Sequence, residues 1–196
     1  MELTIRKLTP ELLEDYLRFF ETDAHADNPD EDRCYCVCWC REDHTRPTDF
    51  SSPEKRRALA VDYVNRGSIR GYLAYDGDRV VGWCNANDKQ LCRLSLSCLR
   101  CGDNLGEAEP ERRIQSVFCF TVSPDYRRMG VATALLTRVC EDAAAEGYEL
   151  VEAYPPREFI SVFADFMGPY KLYEKLGFTV HRMNENGSCV VRKHLK

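Results

Sequence analysis

The most informative stretch of the sequence is Phe120-Thr-Val-Ser-Pro-Asp-Tyr-Arg-Arg-Met-Gly-Val-Ala-Thr133, in which a strand ends, a basic loop follows and a helix opens at Gly130. The first amides of a helix have no carbonyl partners within it, and together with the helix dipole they attract anions. Gly130 lets the backbone approach a ligand closely, and Arg127 and Arg128 add positive charge. The stretch therefore fits a diphosphate. An ordinary helix after a basic turn is the alternative, because glycine motifs this short are weak.

The segments around this stretch predict an alternation of strands and helices. The predicted strands cover residues 3–7, 69–75, 79–84, 114–122, 150–154, 178–183 and 188–193. The predicted helices begin at Thr9-Pro10 and run over about residues 51–65, 130–146 and 169–176, whereas residues 24–32 and 85–113 are predicted to be loop or irregular. Asp76-Gly77 and Asn186-Gly187 predict hairpins. This order indicates a mixed α/β fold with a twisted, mostly antiparallel central sheet, one crossover and flanking helices.

The composition is that of a single globular domain over residues 1–196. The net charge of −5 argues against a nucleic-acid binder, which is usually basic. No run approaches the roughly 18 apolar residues of a membrane span, and the N-terminus does not resemble a secretory signal, so we expect a cytoplasmic protein. In that reducing compartment most of the 11 cysteines are expected to act as small hydrophobes.

Two motifs resemble a known family. Arg127-Arg-Met-Gly-Val-Ala132 resembles the coenzyme A loop of the GNAT superfamily of N-acetyltransferases, whose pattern is Gln/Arg-x-x-Gly-x-Gly/Ala. Leu172-Tyr-Glu-Lys-Leu-Gly-Phe178 resembles the second signature of that family, in the expected order and at the expected separation. The likeness is sharp over residues 114–178, moderate over 69–85, and poor over 24–49 and 85–113. It implies a GNAT-like acyltransferase fold.

The resemblance also implies a reaction and a set of site residues. An acetyl group would pass from acetyl-coenzyme A to an amine acceptor by direct attack of the amine on the thioester, with no metal. Tyr173 would protonate the departing thiolate, the alternative being a core-packing aromatic. Backbone groups of Phe120 and Val122 would pair with the pantetheine arm, and a homodimer is an open expectation. The full set expected to bind the cosubstrate is Phe120, Thr121, Val122, Arg127, Arg128, Met129, Gly130, Val131, Ala132 and Thr133.

The base that removes a proton from the amine is not evident in the sequence. Several family members place a glutamate on the central strand, but the predicted strand over residues 114–122 contains no carboxylate. The candidates elsewhere are Glu111, Glu158, Asp165 and His44. A water relay without a single base is an equally good hypothesis.

The segment Cys34-Tyr-Cys-Val-Cys-Trp-Cys40 is unusual. On a strand, its cysteines would project to one face about 6.6 Å apart, too far for all four to bind one zinc at about 2.3 Å. A metal site built from one of these pairs and Cys98-Leu-Arg-Cys101 stays conceivable. The other interpretations are a small-residue packing face, an acceptor pocket lined by Tyr35 and Trp39, and an acetyl-cysteine route through Cys119.

Other functions remain open at this stage. The alternatives are an acyltransferase that uses another acyl-coenzyme A, a non-catalytic coenzyme A-binding regulatory module, and a protein that senses metals or redox state through its cysteines. A nucleotide hydrolase is disfavoured, because the sequence has no Gly-x-x-x-x-Gly-Lys-Ser/Thr loop. The acceptor amine is not identified by the sequence, since the segments expected to surround it match the family least.

Overall fold

The computed structural model of the chain describes residues 2–28, 33–39, 48–92, 109–162 and 165–195. The strands are β1 (Leu3–Lys7), β2 (Gly71–Asp76), β3 (Arg79–Asp88), β4 (Ile114–Val122), β5 (Leu150–Ala153), β6 (Thr179–Met183) and β7 (Cys189–His194). The α-helices are α1 (Leu13–Arg18), α2 (Pro53–Asn65), α3 (Val131–Ala145) and α4 (Tyr170–Lys175). No helix in these residues is long and apolar enough to span a bilayer.

The strands form one seven-stranded sheet in the order β1-β2-β3-β4-β5-β7-β6. Neighbouring strands run antiparallel except β4 and β5, which are parallel and are connected through α3. This architecture confirms the predicted mixed α/β fold with a mostly antiparallel sheet and one crossover.

The parallel pair is short, and this shapes the centre of the sheet. Its register runs from Ile114 opposite Leu150 to Val117 opposite Ala153, whereas β4 continues to Val122. Among the residues that the structure describes, the last part of β4 therefore has no strand partner on its β5 side. A register shift between β3 and β4 at the same level leaves Phe118 as an extra residue, so β4 carries a bulge where the parallel pairing ends.

The sheet separates two hydrophobic clusters. One contains Tyr16 of α1, Trp83 of β3 and Phe118 of β4. The other lies under α3, where Leu135 and Val139 pack against Val117. The bulge places Phe118 and the next residue, Cys119, in the first cluster, while Phe120 belongs to the second.

Most element bounds agree with the sequence-based prediction, and two differ instructively. The helical segment after Thr9 begins as a 3-10 turn over Pro10–Leu12 before α1. β3 extends four residues beyond the predicted end at Cys84, through Asn85 to Asp88, where an irregular segment was expected. Three of these four residues are polar, and the segment gave no strand pattern. They are ordered by pairing with β4 and by a hydrogen bond from Asn87 Nδ2 to the Ser68 carbonyl at 2.8 Å.

Candidate active site

One cavity of about 680 Å³ contains residues from both sequence signatures. Its walls come from the end of β4, the following loop, the first turn of α3, the start of α4, and residues within 24–39 and 159–168. All of the residues predicted to bind the cosubstrate line this cavity except Met129, whose side chain is exposed. The predicted acid, Tyr173, is not among the lining residues.

The loop before α3 has the geometry of an anion site. Gly130 has φ +88° and Arg128 has φ +63°, so two left-handed residues turn the chain immediately before the helix. The Gly130 carbonyl accepts from the Ala134 amide at 2.9 Å, so intrahelical bonding begins there. The preceding amides of Val131, Ala132 and Thr133 have no carbonyl within the helix to bind. Such groups, pointing together from a helix start, suit phosphate oxygens.

The positive charge beside this loop comes from different residues than predicted. Arg127 forms an ion pair with Asp27, with Nη2 and Oδ1 3.1 Å apart, and this bond holds the pKa of Asp27 below its usual value. The charge of Arg127 is therefore already shared with a carboxylate. Lys171 and Lys175 line the same cavity from α4, one turn apart. Neither lysine was among the residues predicted to bind the cosubstrate, although their spacing on a helix places them on one face.

One short segment covers the predicted acid, Tyr173, and the backbone amide of Phe120, which is predicted to bind the cosubstrate. The Phe120 amide donates to the Phe166 carbonyl at 2.6 Å, and the Tyr173 hydroxyl donates to the next carbonyl, that of Met167, at 2.5 Å. Gly168 follows, and a Cβ there would lie 3.1 Å from both the Phe120 ring and the Tyr173 hydroxyl oxygen. Residues 166–168 thus lie against the edge of β4 that has no strand partner among the described residues.

Tyr173 is a fully buried member of the core as well as a candidate acid. Its ring packs edge-on against Phe178, with centroids 5.2 Å apart, and against Phe120. Burial, followed by nearby thiols, raises the pKa of Tyr173 well above its ordinary value, so the hydroxyl keeps its proton. Gly168 separates this hydroxyl from the cavity.

A group of cysteines forms part of the cavity wall. Cys34, Cys36, Cys38 and Cys119 all line it. The segment is not a strand, because Tyr35 and Cys36 have φ of +47° and +55° and a 3-10 turn follows over Val37–Trp39. The even spacing of sulfurs along a strand therefore does not occur over residues 34–39. Neither this turn geometry nor the positive φ values could be read from the residue pattern.

The two aromatic residues proposed for the acceptor pocket behave differently. Trp39 lines the cavity and stacks on Phe118, with ring centroids 5.8 Å apart. Tyr35 is buried and points elsewhere, with its hydroxyl 3.4 Å from Glu21 Oε1. Of the two residues, only Trp39 therefore lines the cavity, and its contact with an acceptor stays a prediction.

Cys36 is the most strongly bonded of the wall thiols. Asn85 Nδ2 lies 3.3 Å from its sulfur. Burial alone would raise the pKa of Cys36, but its hydrogen bonds with Cys119 and Asn85 hold that pKa below the ordinary value. The hydrogen bond with Cys36, together with burial, raises the pKa of Cys119.

The described residues contain no group of three or more His, Cys, Asp or Glu side chains arranged to hold a metal ion. The zinc-ligand hypothesis also involved Cys40, Cys98 and Cys101, which lie outside the described residues.

The four candidate bases are separated by their positions. Asp165 lines the cavity and is buried. Glu111 and Glu158 are exposed and are not lining residues. His44 lies outside the described residues. Asp165 is therefore the candidate that the fold brings to the site.

Comparisons with known proteins agree with this geometry. The model of the acetyltransferase (GNAT) family matches residues 8–178. No curated protein matches the sequence. Among solved structures, a GNAT-family acetyltransferase from Streptococcus pneumoniae superposes with a TM-score of 0.56 at 17% identity over 100% of both chains.

Two further structures show the same fold. The polyamine N-acetyltransferase of Drosophila melanogaster has a TM-score of 0.55 at 14% identity, covering 99% of this chain and 100% of that one. The PaiA N-acetyltransferase of Thermoplasma acidophilum, solved in complex with coenzyme A, has a TM-score of 0.56 at 15% identity over 99% of both chains.

Proposed function

Because this chain belongs to the acetyltransferase (GNAT) family, we propose that it transfers an acetyl group from acetyl-coenzyme A to an amine. The observation that carries the proposal is a single cavity that joins the amide-rich start of α3 to a wall of thiols, aromatic rings and one carboxylate. The first part suits a diphosphate and the second suits an organic acceptor. Coenzyme A bound to the structural relative from Thermoplasma acidophilum supports the choice of cosubstrate.

The anion site is the part of the chain that would hold the diphosphate. The amides of Val131, Ala132 and Thr133 would bind its oxygens, and the α3 dipole would stabilise its charge. Lys171 and Lys175 would contact phosphate groups from the other side of the cavity. These two lysines would supply positive charge to the diphosphate, because the charge of Arg127 is already paired with Asp27.

The unpaired edge of β4 would hold the pantetheine arm and the acetyl group. In the reaction, the amine nitrogen attacks the acetyl carbon, the carbonyl oxygen becomes negative, and the bond from carbon to sulfur then breaks. An amide aimed at that oxygen stabilises it, and the Phe120 amide lies on the edge with the bulge. It now donates to Phe166. Binding of the arm therefore requires residues 166–168 to withdraw from β4.

The same withdrawal would release the Tyr173 hydroxyl from the Met167 carbonyl. Its raised pKa keeps the proton available, and a departing thiolate is a strong enough base to take it once contact is made. Tyr173 is therefore proposed as the acid of the reaction once its hydroxyl is released from Met167. While it is bonded to Met167, its role is to pack in the core.

The direct test is an acetyl-transfer assay with the full chain, acetyl-coenzyme A and a panel of primary amines, in which mass spectrometry detects the N-acetyl product. We expect product with at least one class of amine. We expect the double variant Lys171→Gln/Lys175→Gln to raise the KM for acetyl-coenzyme A about fivefold, the effect of an exposed ion pair. Lys55→Gln, an exposed lysine on α2, is the control and should leave the KM unchanged. Tight binding of acetyl-coenzyme A without product from any amine would instead identify a non-catalytic binding module.

A further inference from the structure

The part of the cavity formed by Trp39, Cys36, Cys119, Phe159, Val162 and Asp165 contains features that restrict the acceptor; we refer to it as the acceptor wall. Five of these residues are apolar or carry a thiol, and Asp165 is a carboxylate. Phe159 and Val162 are 69% and 51% exposed, which is unusual for large apolar side chains that line a cavity. The side chains of Phe159 and Val162 therefore offer a surface that an apolar part of a bound acceptor would cover.

Asp165 is a buried carboxylate with an unused oxygen. Its side chain is 7% exposed, and Oδ1 accepts a hydrogen bond from the Ile160 amide at 3.3 Å. Oδ2 is buried and has no hydrogen-bond donor among the residues that the structure describes. A buried, unpaired carboxylate oxygen is unfavourable, and a cationic donor would relieve it.

The position of Asp165 relates this oxygen to the reaction. The next residue, Phe166, contacts the unpaired edge of β4 through its carbonyl, and its ring lies 5.9 Å from that of Trp39. An amine bound at Asp165 is thus beside the place where the acetyl group is expected. The other charged lining residues described, Arg127, Arg128, Lys171 and Lys175, are cationic and belong to the loop before α3 and to α4.

A single carboxylate sets a limit on the charge of the acceptor. Among the described residues that line the cavity, Asp165 is the one carboxylate. One ammonium group can be paired there, but a second would lie against thiols and aromatic rings and would lose its hydration without compensation. The same surface makes favourable contacts with an aromatic or aliphatic body.

Resting on the proposed function, we infer that the acceptor is a primary amine with one cationic centre and an apolar body, and that Asp165 binds its ammonium group and accepts the first proton. The neutral nitrogen then attacks the acetyl carbon, and the bond from that carbon to the coenzyme A sulfur breaks. The second proton leaves the nitrogen for solvent as the amide forms. The thiolate takes the hydroxyl proton of Tyr173 to become the free thiol, and Tyr173 regains a proton from solvent. Asp165 returns its proton to solvent.

The test compares kcat/KM for 2-phenylethylamine with that for agmatine and spermidine, using the full chain. We expect the monocation to be preferred. Asp165→Asn should lower kcat/KM for 2-phenylethylamine about 10- to 100-fold, as loss of a charged hydrogen bond does, while the affinity for acetyl-coenzyme A measured by calorimetry stays within about twofold of wild type. Glu158→Gln, an exposed carboxylate outside the cavity, should change neither quantity.

A second variant tests the apolar surface by a gain of activity. Phe159→Glu adds a carboxylate at an exposed position of the acceptor wall, so it should raise kcat/KM for agmatine relative to 2-phenylethylamine. Preference of the wild type for the polycations, or unchanged kcat/KM in Asp165→Asn, would overturn the inference and leave the proposed acetyl transfer intact. Binding of acetyl-coenzyme A with no amine of either class acetylated would overturn both.

Discussion

At the scale of single residues, Tyr173 is a buried core residue for which we also propose a role as the acid. The family signature predicts an acid, and the structure gives a buried hydroxyl that donates to the Met167 carbonyl at 2.5 Å. Both descriptions are compatible if residues 166–168 leave β4 when acetyl-coenzyme A binds. The hydroxyl then changes its partner from a carbonyl to a sulfur, and its raised pKa keeps it protonated until that moment.

Tyr173→Phe separates these roles. We expect kcat to fall about 100-fold, because a positioned acid contributes at least that much, while the affinity for acetyl-coenzyme A changes little. We also expect a loss of about 1–3 kcal/mol in the free energy of unfolding, since the Met167 carbonyl loses its donor. Steady-state kinetics and urea unfolding measure the two effects. Tyr148→Phe removes a half-buried hydroxyl outside the cavity and serves as the control. A wild-type kcat in Tyr173→Phe would leave the residue with a packing role only.

At the scale of secondary-structure elements, the anion site depends on how closely α3 approaches the sheet. Gly82 of β3 lies directly beneath the first residue of the helix, and a Cβ at that position would be 2.6 Å from Val131 Cγ1. Only a residue without a side chain allows this approach. The amides that would bind the diphosphate are therefore positioned by a glycine in a different element.

Gly82→Ala should displace the start of α3. We expect the affinity for acetyl-coenzyme A to fall about tenfold, with a loss of about 1–3 kcal/mol in the free energy of unfolding, as overpacking usually causes. Calorimetry and urea unfolding measure these. Gly77→Ala is the control: its φ of +58° makes the substitution strained, but no atom lies within 4 Å of the added Cβ. That variant should lose stability without losing affinity. An unchanged affinity in Gly82→Ala would show that the helix start tolerates displacement.

Elements with a local signal could be predicted well. The predicted bounds of β1, β4 and α2 match the structure, because hydrophobic alternation and the Ser52-Pro53 start are contained in the sequence. The end of β3 could not be predicted, since Asn85 to Asp88 are ordered by their partners on β4.

The candidate site shows the same difference between features with a local sequence signal and features that depend on distant residues. The loop from Arg127 to Thr133 is contiguous in sequence, and all of it except Met129 lines the cavity, while its binding of the cosubstrate stays a prediction. The left-handed turn at Tyr35 and Cys36 and the contact between Phe166 and Phe120 depend on distant parts of the chain. The sequence could offer Asp165 only as one of several candidates, because its burial is a property of the folded structure.

At the scale of the whole molecule, a buried charge network ties the sheet together next to the site. Glu152 of β5 is fully buried and binds Lys89 and Arg192, each with an N–O distance of 2.6 Å. Tyr154 donates to the same carboxylate at 2.6 Å and stacks on Phe118, which in turn stacks on Trp39. The network thus connects β5, β7 and the helical residues after β3 to the acceptor wall.

Glu152→Gln removes the central charge of this network and leaves two buried cations without their shared partner. We expect the free energy of unfolding to fall by about 3–5 kcal/mol, the usual cost of breaking a buried ion pair from one side. Urea unfolding measures this. Glu149→Gln, at a largely exposed position, is the control and should cost less than about 1 kcal/mol. A similar small loss in both variants would contradict a structural role for the network.

The central claim is that the cavity between α3, α4 and β4 binds acetyl-coenzyme A through the helix start at Gly130. It is tested most directly by isothermal titration of the full chain with acetyl-coenzyme A, repeated with Gly130→Trp. Gly130 has φ +88°, so any side chain there strains the loop, and a large one also obstructs the diphosphate. We predict micromolar binding by the wild type and a loss of at least about 100-fold in the variant. Equal affinity in the two proteins, or no binding by the wild type, would contradict binding of acetyl-coenzyme A at the helix start.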